Sequence, residues 1–289
     1  MILTDAQKQK NAEVYLERHG MRLEDLTAHV PALPEGACAV FTGGIPKGFG
    51  HDASDIDLLI LGASEEPLPG AVVTSSFQEE IIRLPSGHIL NIYHISTPFL
   101  DALGARVRQL VEAAFSEDGG GNLQQFNDDE LEILHWVHAG FALAHPDNFA
   151  RWQVTLGSAL LPLYIYSYFS LRATQLARDA TSFLGQDKPE NALWTVRISA
   201  DHLATAVLGV RGVISVSPKW QLTMIRQNAD LLGRNTADRL VHFLTSWRDD
   251  APERAVEEYV AFHEEVMAES QAENINIAPL VAKMLEAMV

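Results

Sequence analysis

The spacing of apolar residues changes once along this chain, and that change limits the fold. Between residues 37 and 95, apolar residues come in short segments separated by glycine, proline and serine, which is typical of β-strands. The predicted strands cover residues 37–42, 56–61, 71–75, 77–84 and 89–95. From residue 127 almost to the end the spacing is helical, and no strand pattern returns. The sequence therefore predicts an α+β fold: a small mixed sheet followed by an all-α helical bundle.

Local start and stop signals predict where the helices and the domains begin and end. Thr4 opens a capping box for a helix that should run to residues 19–20, and a second short helix is expected over 23–29. Thr97 and Pro98 begin a helix to about residue 116, which the polar, glycine-rich stretch 118–122 interrupts. Asn127 opens another capping box. We expect a sheet domain over residues 1–120 and a helical domain over 121–289, with breaks near 185–187, 215–218, 233 and 249–252.

Composition excludes several classes of protein. The formal net charge is −17 and no stretch concentrates Lys and Arg, which argues against a nucleic-acid partner, because nucleic-acid binding needs many phosphate contacts. The single cysteine, Cys38, lies in an apolar segment and is expected to be buried and unreactive. The N-terminus does not resemble a secretory signal, and the uncharged run 152–171 contains enough polar residues to predict a buried helix of a bundle. We therefore expect a cytoplasmic protein that does not enter a membrane.

One motif carries chemistry. The first predicted strand ends in Gly43 and Gly44, ten residues follow, and another strand opens with Asp55-Ile56-Asp57. Alternate residues of a strand face the same side, so Asp55 and Asp57 should present two carboxylates together. Such a pair repels unless a cation lies between its members, and oxygen ligands suit Mg²⁺ or Mn²⁺. Glycines at the turn allow backbone N–H groups to approach phosphate, and Lys47 is close enough in sequence to assist.

The stretch resembles the DNA polymerase β nucleotidyltransferase superfamily. The matching features are Gly43, Gly44, the ten-residue gap, and Asp55-Ile56-Asp57 followed by Leu58; Ser54 and Gly48 also match residues common in that superfamily. The resemblance covers residues 37–62 strongly. It implies that Asp55 and Asp57 hold Mg²⁺ or Mn²⁺, and that Gly43, Gly44, Lys47 and Ser54 contact a nucleoside triphosphate such as ATP. It also implies transfer of a nucleoside monophosphate, AMP where ATP is used, to a small molecule or a protein.

The superfamily usually supplies a third carboxylate from a later strand, and here the equivalent position in residues 89–95 is Asn91. Asparagine can coordinate through its carbonyl oxygen but cannot act as a general base. Three alternatives follow. Asp55 and Asp57 suffice; another group, such as Glu79, Glu80 or His94, contributes; or the domain binds nucleotide or a protein without catalysing transfer.

Two further groups of residues are candidates for a functional role. His135 and His138 lie three residues apart on a predicted helix, and we interpret them as surface or partly buried histidines rather than metal ligands. By resemblance to helical domains of nucleotidyltransferases, Lys219, which precedes Trp220, is a candidate phosphate or acceptor contact. The alternative is that Trp220 packs in the core and Lys219 is solvated.

Overall fold

A computed structural model describes residues 3–115, 126–214, 218–246 and 251–275. The chain divides into two compact units, which adjoin in sequence at Ala159 and Leu160. The first unit contains the sheet and the second is helical. The predicted domain boundary between residues 120 and 121, and the glycine-rich break at 118–122, lie outside the described residues.

The first unit is built on a six-stranded mixed sheet. Its strands are ordered β3-β4-β5-β2-β1-β6; β2 and β5 are parallel and the other neighbours are antiparallel. The bounds are β1 Cys38–Thr42, β2 Ile56–Ala63, β3 Val72–Val73, β4 Gln78–Arg83, β5 Ile89–Ser96 and β6 Phe141–Ala144. The five predicted strands and the predicted α+β class are confirmed.

Strand β6 corrects the sequence analysis, which predicted only helix beyond residue 127. Three of its four residues pair with β1, with Phe41 opposite Phe141. A run this short has no usable periodicity, so the pairing partner decides its conformation. Gly140 precedes β6 and allows close approach, because a Cβ there would lie 2.5 Å from Cγ1 of Val40.

Five helices surround the sheet in the first unit. They are α1 Asp5–Arg18, α2 Leu23–Thr27, α3 Thr97–Phe115, α4 Asp128–Ala139 and α5 Pro146–Thr155. The predicted capping boxes at Thr4 and Asn127 are confirmed, and each satisfies backbone N–H groups of the first helical turn. One face of the sheet, here called the core face, packs Ile56, Leu58 and Leu90 against Leu16 of α1 and other buried side chains. This packing fixes which residues face the opposite side.

Lys8 connects α1 to the end of α4. Its Nζ donates to the carbonyl oxygens of Gly140 at 2.9 Å and His138 at 3.2 Å, and to Oδ1 of Asp5 at 3.1 Å. Lys8 is only 8% exposed, and an ammonium group has three donors, so these three acceptors compensate for its burial. The contact places α4 at a defined position beside β1.

Cys38 on β1 is buried, as predicted. Burial raises the pKa of its thiol to about 12, and the nearby Arg151 only partly offsets this. The thiol is therefore protonated at neutral pH and is a poor nucleophile.

The second unit is helical. Its helices are α6 Leu161–Gly185, α7 Pro189–Val210, α8 Gln221–Gln227, α9 Ala229–Leu232, α10 Arg234–Thr245 and α11 Pro252–Ile275. The hydroxyl of Tyr259 on α11 donates to Oγ of Ser199 on α7 at 2.6 Å, and Ser199 donates to the carbonyl of Ala173 on α6 at 2.7 Å. The predicted breaks near 185–187 and 233 are confirmed, whereas residues 215–217 and 249–250 lie outside the described part of the chain.

The uncharged run 152–171 is not one helix, which corrects the sequence analysis. Helix α5 ends at Thr155 and α6 begins at Leu161, with Gly157 between them at φ +58°. Glycine adopts this backbone conformation without strain, so the chain can turn here. In the described residues, no single helix is long and apolar enough to cross a membrane, although the pair Pro146–Thr155 and Ser158–Gly185 together meets that length and composition.

The contacts of β6 and α4 with β1 predict that a fragment of residues 1–159 folds cooperatively and that a fragment of residues 1–120 does not. The shorter fragment loses β6 and α4, which exposes the outer edge of β1 and apolar surface on the sheet. Urea unfolding followed by circular dichroism would test this. A cooperative transition in the shorter fragment with the same midpoint as in the longer one would contradict the assignment of β6 and α4 to the sheet unit.

Candidate active site

The glycine turn and the two aspartates meet where β1 and β2 pair. Thr42, the last residue of β1, lies opposite Asp57 on β2. Gly43 follows at φ +84°, and a Cβ built on it would lie 2.3 Å from Oδ2 of Asp57. The Asp57 carboxylate therefore occupies the space that a side chain at position 43 would need. Only glycine allows both this backbone conformation and this approach.

The chain between Gly44 and Phe49 forms a closed turn. The N–H of Phe49 donates to the carbonyl of Gly44, and the N–H of Gly48 donates to the carbonyl of Ile45, both at 2.9 Å. This is the hydrogen-bond pattern of a Schellman motif, and Gly48 has the positive φ, +81°, that the motif requires. Nδ2 of Asn11 donates to the carbonyl of Pro46 at 2.9 Å and holds the turn against α1.

The loop before β2 is held at two points. The hydroxyl of Tyr15 lies 3.0 Å from the carbonyl oxygen of His51 and 3.3 Å from that of Ser54. Oγ of Ser54 accepts a hydrogen bond from the N–H of His51 at 2.9 Å. Ser54, predicted as a nucleotide contact, therefore has a role within the loop that leads into Asp55.

Asp55 and Asp57 differ in exposure. Asp55 precedes β2 by one residue and is exposed, whereas Asp57 lies on the strand and is half-buried. Ile56 and Leu58 on either side of Asp57 are fully buried on the core face. Asp57 therefore faces the opposite side, which we call the site face of the sheet.

Asn91 lies beside Asp57 on the site face. The parallel pairing of β2 with β5 sets Asp57 opposite Asn91, and Leu90 and Ile92 belong to the core face. Nδ2 of Asn91 donates to Oδ1 of Asp57 at 3.3 Å, and Asn91 is 9% exposed. The carboxylate of Asp57 is thus held between Gly43 on the β1 side and Asn91 on the β5 side.

The other acidic and histidine candidates do not join this pair. Glu80 and His94 lie on the core face by register, and His94 Nε2 is 3.5 Å from Glu80 Oε2. Burial lowers the pKa of His94, and Glu80 partly offsets this. Glu79 is opposite Tyr93 on the site face, and its charge is one of the causes that raise the pKa of the Tyr93 hydroxyl. Within the described residues, no set of three or more His, Cys, Asp or Glu side chains is arranged to hold a metal ion.

Aromatic side chains lie next to this position. Tyr93 on β5 is two residues from Asn91, and its ring centroid is 4.4 Å from that of Trp136 on α4 and 5.2 Å from that of Phe77. Burial, followed by the charges of Asp57 and Glu79, raises the pKa of Tyr93 well above its ordinary value. Its hydroxyl therefore remains a hydrogen-bond donor at physiological pH. The sequence analysis assigned no role to Tyr93 or Trp136.

Lys47 in the glycine turn reaches His135 on α4. Nζ of Lys47 lies 2.9 Å from Nε2 of His135, and His135 is 5% exposed. The sequence analysis interpreted His135 as a surface or partly buried residue with no role at the site. A usable signal was its position: Leu131, Leu134, His135 and His138 have the spacing of one helix face, so this histidine lies where the helix packs.

Lys219 lies in the helical unit, in a single helical turn, Pro218–Trp220. Its Nζ is 5.7 Å from the centroid of the Trp220 ring. Trp220 is only partly buried and Lys219 is exposed. The role predicted for Lys219 stays a prediction.

Of the residues predicted for the site, the structure brings together Gly43, Asp57 and Asn91. Gly44 and Lys47 lie in the turn after β1, and Ser54 and Asp55 lie in the loop before β2.

The oxygen donors at this position suit a hard divalent ion. Asp55 and Asp57 lie two residues apart where β2 begins. Asp55 is exposed, whereas Asp57 accepts a hydrogen bond from the uncharged amide of Asn91. Mg²⁺ is commonly bound in proteins by one or two carboxylates and retains several waters. An exposed carboxylate such as that of Asp55 leaves space for those waters. The residues present therefore fit a divalent ion held by Asp55 and Asp57.

Comparisons with known proteins find similarity in structure but none in sequence. No protein family model matches the sequence, and no curated protein is significantly similar to it. A nucleotidyltransferase-like protein from Exiguobacterium sibiricum 255-15 is similar in structure, with 13% sequence identity and a TM-score of 0.45, over 86% of this chain and 73% of that chain.

The fit between Gly43 and Asp57 predicts the effect of a single methyl group. Gly43→Ala should destabilise the protein by more than Gly87→Ala, because Gly87 has a similar φ of +89° but open space around it. The backbone strain common to both should cost about 1–2 kcal/mol. Urea unfolding of the two variants measures the difference. Equal losses of stability would contradict the close approach of the Asp57 carboxylate to residue 43.

Proposed function

We propose that this protein is a divalent-ion-dependent nucleotidyltransferase, which transfers AMP from ATP to a hydroxyl or amine of a small-molecule or protein acceptor. The observation that supports this most directly is the placement of the Asp57 carboxylate between Gly43 and Asn91, with Asp55 two residues earlier. The motif in the sequence and this geometry agree, because the glycine turn and the carboxylates that a triphosphate requires lie at one point on the sheet.

The residues of the site have separate tasks in this proposal. Divalent ions held by Asp55 and Asp57 would neutralise the triphosphate and the charge that develops during transfer. The backbone N–H groups of Gly43 and Gly44 would donate to phosphate oxygens at the turn. Lys47 contributes a positive charge beside that turn. Asn91 keeps the Asp57 carboxylate in one orientation by donating a hydrogen bond to Oδ1.

The proposed reaction is an in-line displacement at the α-phosphorus. The acceptor oxygen or nitrogen forms a bond to phosphorus, the bond from the α-phosphorus to the bridging oxygen breaks, and pyrophosphate leaves with the electron pair. Asn91 cannot accept the acceptor's proton, because a neutral amide is not a base at physiological pH. That proton leaves to water or to the exposed carboxylate of Asp55.

A second candidate function is nucleotide binding without transfer, and Asn91 is the observation that favours it. Its amide, in place of a third carboxylate, satisfies Asp57 Oδ1 with a neutral donor. Both functions predict that ATP with Mg²⁺ raises the melting temperature. Only the transferase releases pyrophosphate when candidate acceptors are added, so a pyrophosphate assay with small-molecule and protein acceptors distinguishes the two.

Removing either aspartate charge should abolish binding of ATP with Mg²⁺. Asp55→Asn and Asp57→Asn should each lose the rise in melting temperature that ATP with Mg²⁺ gives the parent protein, because both lose carboxylate charge at the ion. Asp52→Asn is the matched control, since Asp52 is an exposed aspartate of the same loop. Thermal shifts measured with and without a chelator test this. Unchanged shifts in both site variants would exclude the proposed ion site.

Replacing Asn91 by aspartate should make the site depend more strongly on divalent ions. Asn91→Asp removes the donor to Asp57 and sets two carboxylates side by side, so in a chelator the variant should lose roughly 1–3 kcal/mol of stability. Mg²⁺ should restore it, and Mn²⁺ should bind more tightly than to the parent protein. A Mn²⁺ titration and urea unfolding measure both effects. Identical affinity and chelator sensitivity in parent and variant would place Asn91 outside the ion site.

A further inference from the structure

The contact between Lys47 and His135 joins the glycine turn to helix α4. A lysine ammonium has only donors, so at 2.9 Å the Nε2 of His135 must accept, which requires a neutral imidazole with its proton on Nδ1. The Nζ of Lys47 also lies 5.9 Å from the centroid of the Phe49 ring. Both contacts place an uncharged group beside the ammonium.

His135 is well suited to orient another group, because α4 is held at three points near it. Oγ1 of Thr42 donates to the carbonyl of Trp136 at 2.9 Å, and Lys8 binds the carbonyls of His138 and Gly140. Thr42 immediately precedes Gly43, so the helix and the glycine turn share an anchor. The position of the His135 ring is therefore tied to the position of the turn.

The order of the strands sets the side on which Lys47 acts. In the sheet, β2 lies between β1 and β5, so Gly43 is on one side of Asp57 and Asn91 is on the other. Lys47 follows Gly43 by four residues in the closed turn and is held toward α4. The turn that carries Lys47 therefore follows the strand on the glycine side of Asp57, across β2 from Asn91.

We propose that His135 is a positioning residue that holds the ammonium of Lys47 for the β- and γ-phosphates of the bound triphosphate. This inference rests on the proposed function and adds a determinant of triphosphate affinity to it. Lys47 makes the contact with phosphate and His135 acts through Lys47. The pair should therefore matter for ATP and for inorganic pyrophosphate, and it should not matter for AMP, which lacks those phosphates.

The test compares nucleotide affinities of four variants and one control variant by calorimetric titration with Mg²⁺. His135→Leu and Lys47→Met should each weaken ATP and pyrophosphate binding by about tenfold, the size expected when one well-placed charged contact is lost. The double variant should be no weaker than Lys47→Met alone, because the two residues act as a unit. His135→Gln, which retains an acceptor, should recover most of the affinity. His94→Leu is the matched control, since His94 is a buried histidine on the core face.

A second measurement tests the contact without changing His135. In ¹⁵N spectra of the histidine rings, Lys47→Met should shift the Nε2 signal of His135 and leave that of His94 unchanged. If the parent protein binds ATP but His135→Leu binds it equally well, or the losses in the double variant add, or the His135 signal does not move, the positioning role is wrong. If the parent protein binds neither ATP nor pyrophosphate, the proposed function itself fails.

Discussion

The site depends on the position of one carboxylate, that of Asp57. Antiparallel pairing with β1 brings it against Gly43, and parallel pairing with β5 brings it against the amide of Asn91. Neither Gly43 nor Asn91 can be replaced without changing the surroundings of this carboxylate. A side chain at position 43 would occupy the space of Oδ2, and an apolar residue at 91 would leave Oδ1 without its donor. Two strand pairings that stabilise the sheet therefore also set the geometry at which an ion can bind.

Charge is distributed around this point in a way that suits an anionic ligand held through ions. The chain as a whole carries a formal net charge of −17. The site itself contains Asp55 and Asp57, and the negative charges of Asp57 and Glu79 help to raise the pKa of Tyr93. Against this background, Lys47 is oriented by a neutral imidazole and an aromatic ring. Cations supplied from solution and one positioned lysine would together balance a triphosphate.

Much of this arrangement could be predicted from sequence because its signals are local. Short apolar segments bounded by glycine, proline and serine identify β1, β2 and β5. The alternation of side chains along a strand then sets Asp57 and Asn91 on the face opposite Leu90 and Ile92. Strand β6 could not be predicted, since four apolar residues acquire their conformation by pairing with β1. The contact of His135 with Lys47 joins residues 88 positions apart and depends on how α4 packs. A helix pattern shows that His135 lies on a packed face but cannot show which residue it meets.

The central claim is that Asp55 and Asp57 hold a divalent ion together with a triphosphate. Paramagnetic Mn²⁺ tests it most directly, because it broadens backbone amide signals only near the ion. With Mn²⁺ and a nonhydrolysable ATP analogue, the account predicts strong broadening at Gly43, Asp55, Asp57 and Asn91. The signals of Ala63 and Ser96, which pair at the far ends of β2 and β5, should broaden much less. Broadening centred elsewhere, or none when the analogue is present, would contradict the account.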